Sequence, residues 1–432
     1  MKLTKNLSKV EIKKGLDAVT GKMGLSWLVH AMKDFGVEKM ISDEWEKNSN
    51  RELDHFQKIM SGVMTRVAGG ERVEDIENLR VDVGLLESLG WEEMMSADTY
   101  LNLIKEKRAN AKIRRVNNAM VIKALRGLEE EGLTYDNDAT YFDSEKESAG
   151  YSYQKRTQFS GLIGSIAELG MINTVDFRRG QVSPQDGVMN QLKEAVGQAK
   201  AAGKRIKIFR SDSAAYRMDA MTYCDIEGIK YYISADKDKA VKKQIQKIKE
   251  SHWRMLVDKY AKNEDTKWAQ TEHVMSKGFK VRMLVLRWPN PDPDLFDESP
   301  YCYHAIVTND FEIKPMEWLK VHNGRMGTIE HTHQEIKGEL SCDYAPSHEF
   351  EKNRGYFLLG ILAYNMVEIL KRFYLGASTI SWKIKTLRYQ FIHVCGKIVK
   401  SARRFCCKII NVTDEVFELY KNCKSRFNCY AH

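Results

Sequence analysis

Apolar side chains recur every three to four positions over Leu25 to Ile41, Phe56 to Val67, Val73 to Leu89 and Val116 to Leu128. This spacing predicts amphipathic helices, broken at Gly69-Gly70 and at Gly90. Every proline lies at or beyond Pro184, so none breaks helices in the amino-terminal third. After Gly132 the repeat shortens to that of strands. Leu133 to Phe142, Phe159 to Ile166 and Met171 to Phe177 read as extended segments, the last closed by Arg178-Arg179-Gly180. A helix is then predicted from Gly187 to Ala202, a strand over Arg205 to Arg210, a helix over Ala214 to Ile226 and a strand over Ile229 to Ser234.

Three strands followed by helix, strand, helix and strand is the order of a ribonuclease-H-like α/β core. That analogy concerns the fold alone, and function has to be argued from the site. The segment Asp236 to Pro315 interrupts the core. It begins with a charged helix at Lys237 to Lys249 and holds two strand candidates, Phe279 to Trp288 and Tyr301 to Thr308, joined by a loop with Pro289, Pro291, Pro293 and Pro300. A stretch this long, with its own strands, is expected to be a subdomain. An apolar helix from Phe357 to Leu370 and a basic tail follow.

At 432 residues the chain has material for two or three domains of roughly 150 residues each. With 43% hydrophobic and 10% aromatic residues and only 7 prolines, disordered, collagenous and low-complexity classes are excluded. No apolar run reaches the ~18 residues of a membrane span, and Met1 to Lys5 begins no apolar signal core. An unsecreted, cytoplasmic protein with no membrane partner is expected. The 8 cysteines include no Cys-x-x-Cys pair, which argues against zinc and for reduced thiols.

Net charge is +9, and its distribution is uneven. Lys371 to Lys408 holds ten Lys or Arg and no Asp or Glu, while Lys105, Lys107, Arg108, Lys112, Arg114 and Arg115 meet the single acid Glu106. Such blocks suit a polyanion, because neutralising phosphates releases condensed counterions, and nucleic acid is the leading candidate.

Asp136 and Asp138, two apart on the first strand, project from one side of the sheet together with Thr140. Strand propensity disfavours Asp, so two of them imply a compensating charge, for which a divalent cation is suited. A solvated acidic strand face is the plainer alternative. Asp212 follows the fourth strand and precedes a helix, at the carboxyl end where α/β proteins place ligands; an N-cap role explains such an acid as well.

The stretch from His322 to Lys337 reads His-Asn-Gly-Arg-Met-Gly-Thr-Ile-Glu-His-Thr-His-Gln-Glu-Ile-Lys. Thr328 is expected to cap a helix running through Leu340, with Ile329, Ile336 and Leu340 as its apolar stripe and Glu330, His333 and Lys337 sharing a face. Asp138, Asp212 and Glu330 belong to three elements that this core brings together. Three hard carboxylates suit Mg²⁺ or Mn²⁺. Two such ions about 3.5–4 Å apart would activate a water or a 3′-hydroxyl and stabilise the leaving oxygen of a phosphoryl displacement.

These motifs resemble those of the DDE transposases of bacterial insertion sequences, in the branch with a β-rich insertion before the final acid. Asp-Asn-Asp-Ala-Thr at 136–140 resembles the motif of the first acid and assigns it to Asp138. Arg-Ser-Asp-Ser-Ala-Ala-Tyr at 210–216 gives Asp212, and His-x-Gly-Arg-x-Gly-x-x-Glu-x-x-His-x-x-Ile-Lys at 322–337 gives Glu330. Asp176-Phe177-Arg178 and Leu362-Ala363-Tyr364-Asn365 extend the likeness. His322 stands where many relatives have Tyr, and one more residue separates Arg325 from Glu330 than in the commonest spacing.

The resemblance implies an enzyme that binds terminal inverted repeats, hydrolyses a phosphodiester to free a 3′-hydroxyl, and joins that hydroxyl to target DNA. It implies that Asp138, Asp212 and Glu330 are catalytic and hold two Mg²⁺ or Mn²⁺ ions, and that the DNA complex contains a homodimer. Arg325 and Lys337 are then expected to bind DNA phosphates, and His333 to contact substrate or assist proton transfer. Trp288 either stacks on a base or packs in a core. A nuclease that cuts without joining, or a DNA-binding descendant on the same fold, is the alternative reading. The corresponding division is a helical DNA-binding domain at 1–130, the first part of the core at 131–235, a β-rich insertion at 236–317, the second part of the core at 318–375 and a basic segment at 376–432.

Overall fold

The computed structural model describes residues 17–45, 53–105, 107–291, 299–401 and 404–429; Met1 to Lys5, Glu106 and Pro293 lie outside them. Helices α1 (Met23–Asp34), α2 (Val37–Glu44), α3 (His55–Val67), α4 (Glu77–Arg80), α5 (Val83–Leu89), α6 (Ala97–Ile104) and α7 (Lys107–Arg126) precede the first strand. The periodic run from Leu25 to Ile41 divides into α1 and α2 because Gly36, at φ 86°, takes a left-handed conformation that ends one helix and begins the next. The run from Val73 to Leu89 divides likewise where Asp82 accepts the Leu85 amide and starts α5.

Strands β1 (Gly132–Asp143), β2 (Gly150–Tyr151), β3 (Thr157–Ile166) and β4 (Met171–Arg179) come next, then α8 (Val188–Ala201), β5 (Arg205–Ser211), α9 (Met218–Glu227) and β6 (Lys230–Ser234). β4, β3 and β1 are antiparallel neighbours, and β5 and β6 lie parallel to β1. The resulting order, β4-β3-β1-β5-β6, is the ribonuclease-H-like one expected.

The insertion comprises α10 (Lys239–Gln246), β7 (Arg254–Met255), β8 (Lys267–Val274), β9 (Lys280–Pro289) and β10 (Tyr301–Thr308). It builds no separate sheet. β10 pairs antiparallel with β6 and carries β9, β8 and β7 outward, so the core sheet continues through it. A smaller apolar cluster that includes Leu256, Leu284, Ile306 and Trp318 covers this extension, and Trp288 packs against it.

The chain then forms α11 (Pro315–Asn323), α12 (Ile329–Gly338) and α13 (Phe350–Ile369). α13 is buried on every side from Gly355 to Ile369, which explains its largely apolar sequence. It lies between the sheet and the amino-terminal helices, whose core is continuous with that of the sheet from Met23 to Cys423. The fully buried Arg66 on α3 fastens the two parts, donating to the carbonyls of Leu340 (2.5 Å) and Tyr356 (2.6 Å).

Short helices α14 (Ala377–Ile380) and α15 (Ile384–Leu387), the hairpin β11 (Gly396–Ser401) and β12 (Arg404–Ile409), and α16 (Asp414–Ser425) complete the fold. This end packs back on the start of the chain: Tyr420 meets Trp27 edge-on, and Thr20 bridges to Gly396.

Both basic blocks are partly neutralised from within. Lys371 and Arg372 surround the buried Glu368, Arg388 pairs with Glu339, Arg114 with Glu194 and Arg115 with Glu44. The eight cysteines are free thiols, and no helix of the described residues is long and apolar enough to cross a membrane.

Candidate active site

The two strands that carry the first acids are locked by a neighbouring pair. Asp136 is fully buried and lies beside Arg210 in the parallel register of β1 and β5. The Arg210 Nε and Nη2 donate to the two carboxylate oxygens at 2.6 and 2.7 Å, and its Nη1 donates to the Val321 carbonyl at 2.9 Å. The Thr328 hydroxyl donates to the same carboxylate. Thr328 was expected to cap α12, but its side chain makes no cap bond, since the buried carboxylate takes it instead. The charge of Asp136 is thus compensated by a guanidinium, which corrects the expectation that a divalent cation balances both strand acids.

Asp138 stands one residue past Asn137, and Asp212 one residue past Ser211, the last paired positions of β1 and β5. The two acids therefore share one end of the sheet. Asp212 also caps the following turn, accepting the Ala214 amide at 3.0 Å, so both readings of this acid hold at once. Glu330 is solvent-exposed in the first turn of α12, whose stripe of Ile329, Ile336 and Leu340 is fully buried. Burial pushes the Asp138 carboxyl up to about 7; Arg325 opposes this rise, and Asp212 and Glu330 add to it. The three acids meet at the level of charge. Among the described residues no three His, Cys, Asp or Glu side chains form a metal-ligand cluster.

Two of the other signature residues, Arg325 and His333, face Asp138. Arg325 Nη2 lies 3.1 Å from its Oδ2, with the guanidinium almost closed off from solvent. His333 Nδ1 lies 4.0 Å from the same oxygen, but burial pulls its imidazole down to about 3, so it is neutral and forms no ion pair. Its Nε2 has no protein partner. Lys337 donates to the Tyr141 carbonyl at 2.9 Å, over the ring of Phe142. His322 is held well below its ordinary value by burial and meets the Ser234 hydroxyl at 3.1 Å.

Two participants escaped the sequence reading. Arg210 was quoted only as part of a motif, yet a signal was present, because Asp136 and Arg210 each precede an acid by two residues. Tyr141, beyond Asp138 on β1, carried no such signal.

The family described as transposase DDE domain group 1 matches residues 4–423. No curated protein sequence matches the chain. Among solved structures, a piggyBac transposase synaptic complex with hairpin DNA, determined by cryo-EM, is similar at 11% identity, with 95% of this chain and 81% of that one covered and a TM-score of 0.45. With the family matched over nearly its whole length, the chain belongs to the transposase DDE domain group 1 family and is a transposase enzyme that acts on DNA.

Proposed function

We propose that this transposase cuts DNA at the terminal inverted repeats of its element and joins the freed 3′-hydroxyl to target DNA, with Asp138, Asp212 and Glu330 as the catalytic acids. The observation that carries the reading is the register of β1 and β5, which sets Asp138 and Asp212 side by side, each one residue past the last pair of the two strands. Divalent ions, two Mg²⁺ or Mn²⁺, fit this donor set, because all three groups are hard carboxylates and two of them raise the third by repulsion that a cation relieves. When bound, such a pair supplies Lewis acidity at the attacking and leaving oxygens.

The remaining roles belong to the chain's own side chains. Asp138, Asp212 and Glu330 hold the ions. Arg325, beside Asp138, and Lys337, at the Tyr141 carbonyl, bind phosphates of the reacting strand, and neutral His333 offers its free Nε2 to substrate. Two element ends have to be processed together, so the working assembly is a homodimer on DNA.

Cleavage of labelled element-end DNA with Mg²⁺ tests the assignment. Asp212→Asn is expected to abolish cutting while DNA binding persists, and undiminished cutting overturns the reading. A strand-transfer reaction with pre-cleaved ends separates joining from simple nuclease action, which leaves only shorter fragments.

A further inference from the structure

Arg178, in the Asp176-Phe177-Arg178 motif of β4, stands opposite Ser160 of β3, and Ser160 stands opposite Tyr141 of β1. Residues paired in this way put their side chains on one face with Cβ atoms about 4.5–5.5 Å apart, so the three form a single row across the sheet. The row faces α8, because Asn137, four residues before Tyr141 on β1, bonds Gln191 of that helix. Asp138 points to the other face.

Every side chain of the row carries a polar atom with no protein partner: the Tyr141 hydroxyl, the Ser160 hydroxyl, and both Nε and Nη2 of Arg178. Arg178 is 5% exposed and Ser160 is fully buried. The Arg178 Nη1 donates to the carbonyls of Ser183 at 3.3 Å and Asp186 at 2.6 Å, which fixes the guanidinium. Its other edge, Nε with Nη2, is the one by which Arg210 grips both oxygens of Asp136. Arg210, Arg287 and Arg325, similarly buried, each pair with a carboxylate, whereas among the described residues Arg178 pairs with none. Asp176 and Asp186 act on it only through their fields, and Asp176 lies 3.9 Å from Arg354 instead. A buried guanidinium with this fork unpaired is costly, and an oxyanion is the acceptor that fits it.

The start of α8 adds to the same potential. Gly187, at φ 91°, begins the helix and lies against Leu162, which shares the face of Ser160 two residues on. No side chain caps α8 and no acid occupies its first turn, so its amide end favours an anion. Ser160 is the short member between two long ones, which leaves a notch floored by its hydroxyl and walled by a phenol and a guanidinium. The phenol of Tyr141, pushed up to about 12 by burial, keeps its proton to donate.

We propose that this notch binds a phosphate group, with the Nε and Nη2 edge of Arg178 on two of its oxygens and the hydroxyls of Ser160 and Tyr141 on the others. A tetrahedral oxyanion suits donors that converge from two walls and a floor. Free phosphate and a backbone phosphate of DNA offer the same chemistry. The inference goes beyond the proposed reaction and needs no catalytic role for Asp138, Asp212 or Glu330.

The test is calorimetric titration of the full chain, free of DNA, with inorganic phosphate at constant ionic strength set by potassium chloride. One saturable site is expected. Tyr141→Phe and Ser160→Ala should each weaken it about tenfold, the worth of one hydrogen bond to a charged group, and Arg178→Gln should abolish it. Arg325→Gln, which alters the cation beside Asp138, should leave it unchanged. Should Arg178→Gln fail to fold, the two hydroxyl variants decide.

A short blunt duplex then identifies the source. Displacement of phosphate by the duplex, with weaker duplex binding in Tyr141→Phe, assigns the notch to a DNA phosphate; undiminished phosphate binding by the DNA-loaded chain assigns it to the free anion. Both results uphold the site. Absence of saturable binding overturns the proposal, as do equal affinities in the native chain and both hydroxyl variants. Loss of the site in Arg325→Gln overturns it too, and so does acetate binding as tightly as phosphate. If the notch fails while Mg²⁺-dependent cutting remains sensitive to Asp212→Asn, only this inference falls.

Discussion

Asp136 and Arg210 face each other across two parallel strands, and each stands two residues before an acid of the site. The pair fixes the alignment of β1 on β5. A slip of one residue would turn Asp138 to the opposite face of the sheet and away from Asp212. Arg210 also holds the Val321 carbonyl of α11, and Thr328, at the start of α12, holds Asp136. The elements bearing Asp138, Asp212 and Glu330 are thus joined at one buried ion pair.

Arg210→Met should therefore destabilise the chain strongly. It leaves a fully buried carboxylate with no cation, a change that typically costs about 3–5 kcal/mol. Combining it with Asp136→Leu removes the orphaned charge and should restore most of that loss. Urea unfolding of the single and double variants checks both, and a single-variant loss below about 1 kcal/mol would contradict the role given to the pair.

The stability of the metal-free protein should fall as pH rises from about 4 towards 7. The Asp138 carboxyl titrates at about 7 in the folded chain, against 3.8 as its ordinary value. The folded state thus holds this proton longer than the unfolded state does. The favourable contribution is complete below the unfolded value and disappears as pH passes the folded one. Asp138→Asn removes the titration, so it should stabilise the chain by about 2–4 kcal/mol near pH 8 and by almost nothing near pH 4. Thermal unfolding against pH in chelator shows whether the two curves converge at low pH.

The core strands could be read in the sequence because each is rich in β-branched or aromatic residues and bounded by turn residues, and the α12 stripe because Ile329, Ile336 and Leu340 follow the helical period. β8 escaped notice, since Lys-Trp-Ala-Gln-Thr-Glu-His-Val carries polar residues on a strand that is mostly part-exposed. Thr328 has the composition of an N-cap, yet a partner remote in sequence, Asp136, wins its hydroxyl. The internal pairing of the basic blocks was illegible for a related reason. The acids that neutralise Arg114, Arg115 and Arg388 lie 80, 71 and 49 residues away, so no local window contains them. Asp212 is the opposite case, in which the capping role and the strand-end position were both visible and both are realised.

Arg66 joins the amino-terminal helices to the Leu340 carbonyl just past α12 and to the Tyr356 carbonyl in α13, with its guanidinium 3.6 Å from the centre of the Tyr356 ring. Arg66→Met keeps the volume but leaves the buried Leu340 carbonyl without its donor and removes the second donor from that of Tyr356, and it should lower stability by about 2–4 kcal/mol. Faster hydrogen exchange at α12 and at the start of α13, measured on the intact chain, would show that the loss is centred there. Exchange confined to α3 would refute the fastening role.

Divalent ions should stabilise the folded chain, more so at higher pH. A ligand bound only by the native state, present at a hundred times its dissociation constant, adds about 2.7 kcal/mol. Mg²⁺ or Mn²⁺ needs the ionised form of Asp138, so the rise in melting temperature should grow as pH passes about 7, and it should shrink in Asp138→Asn and Glu330→Gln. Arg325 bears on the same oxygen from 3.1 Å, which makes it a competitor of any cation placed there. Without DNA, Arg325→Gln should bind Mn²⁺ more tightly than the native chain in calorimetric titration. If it binds more weakly, the guanidinium supports the ion site and does not oppose it.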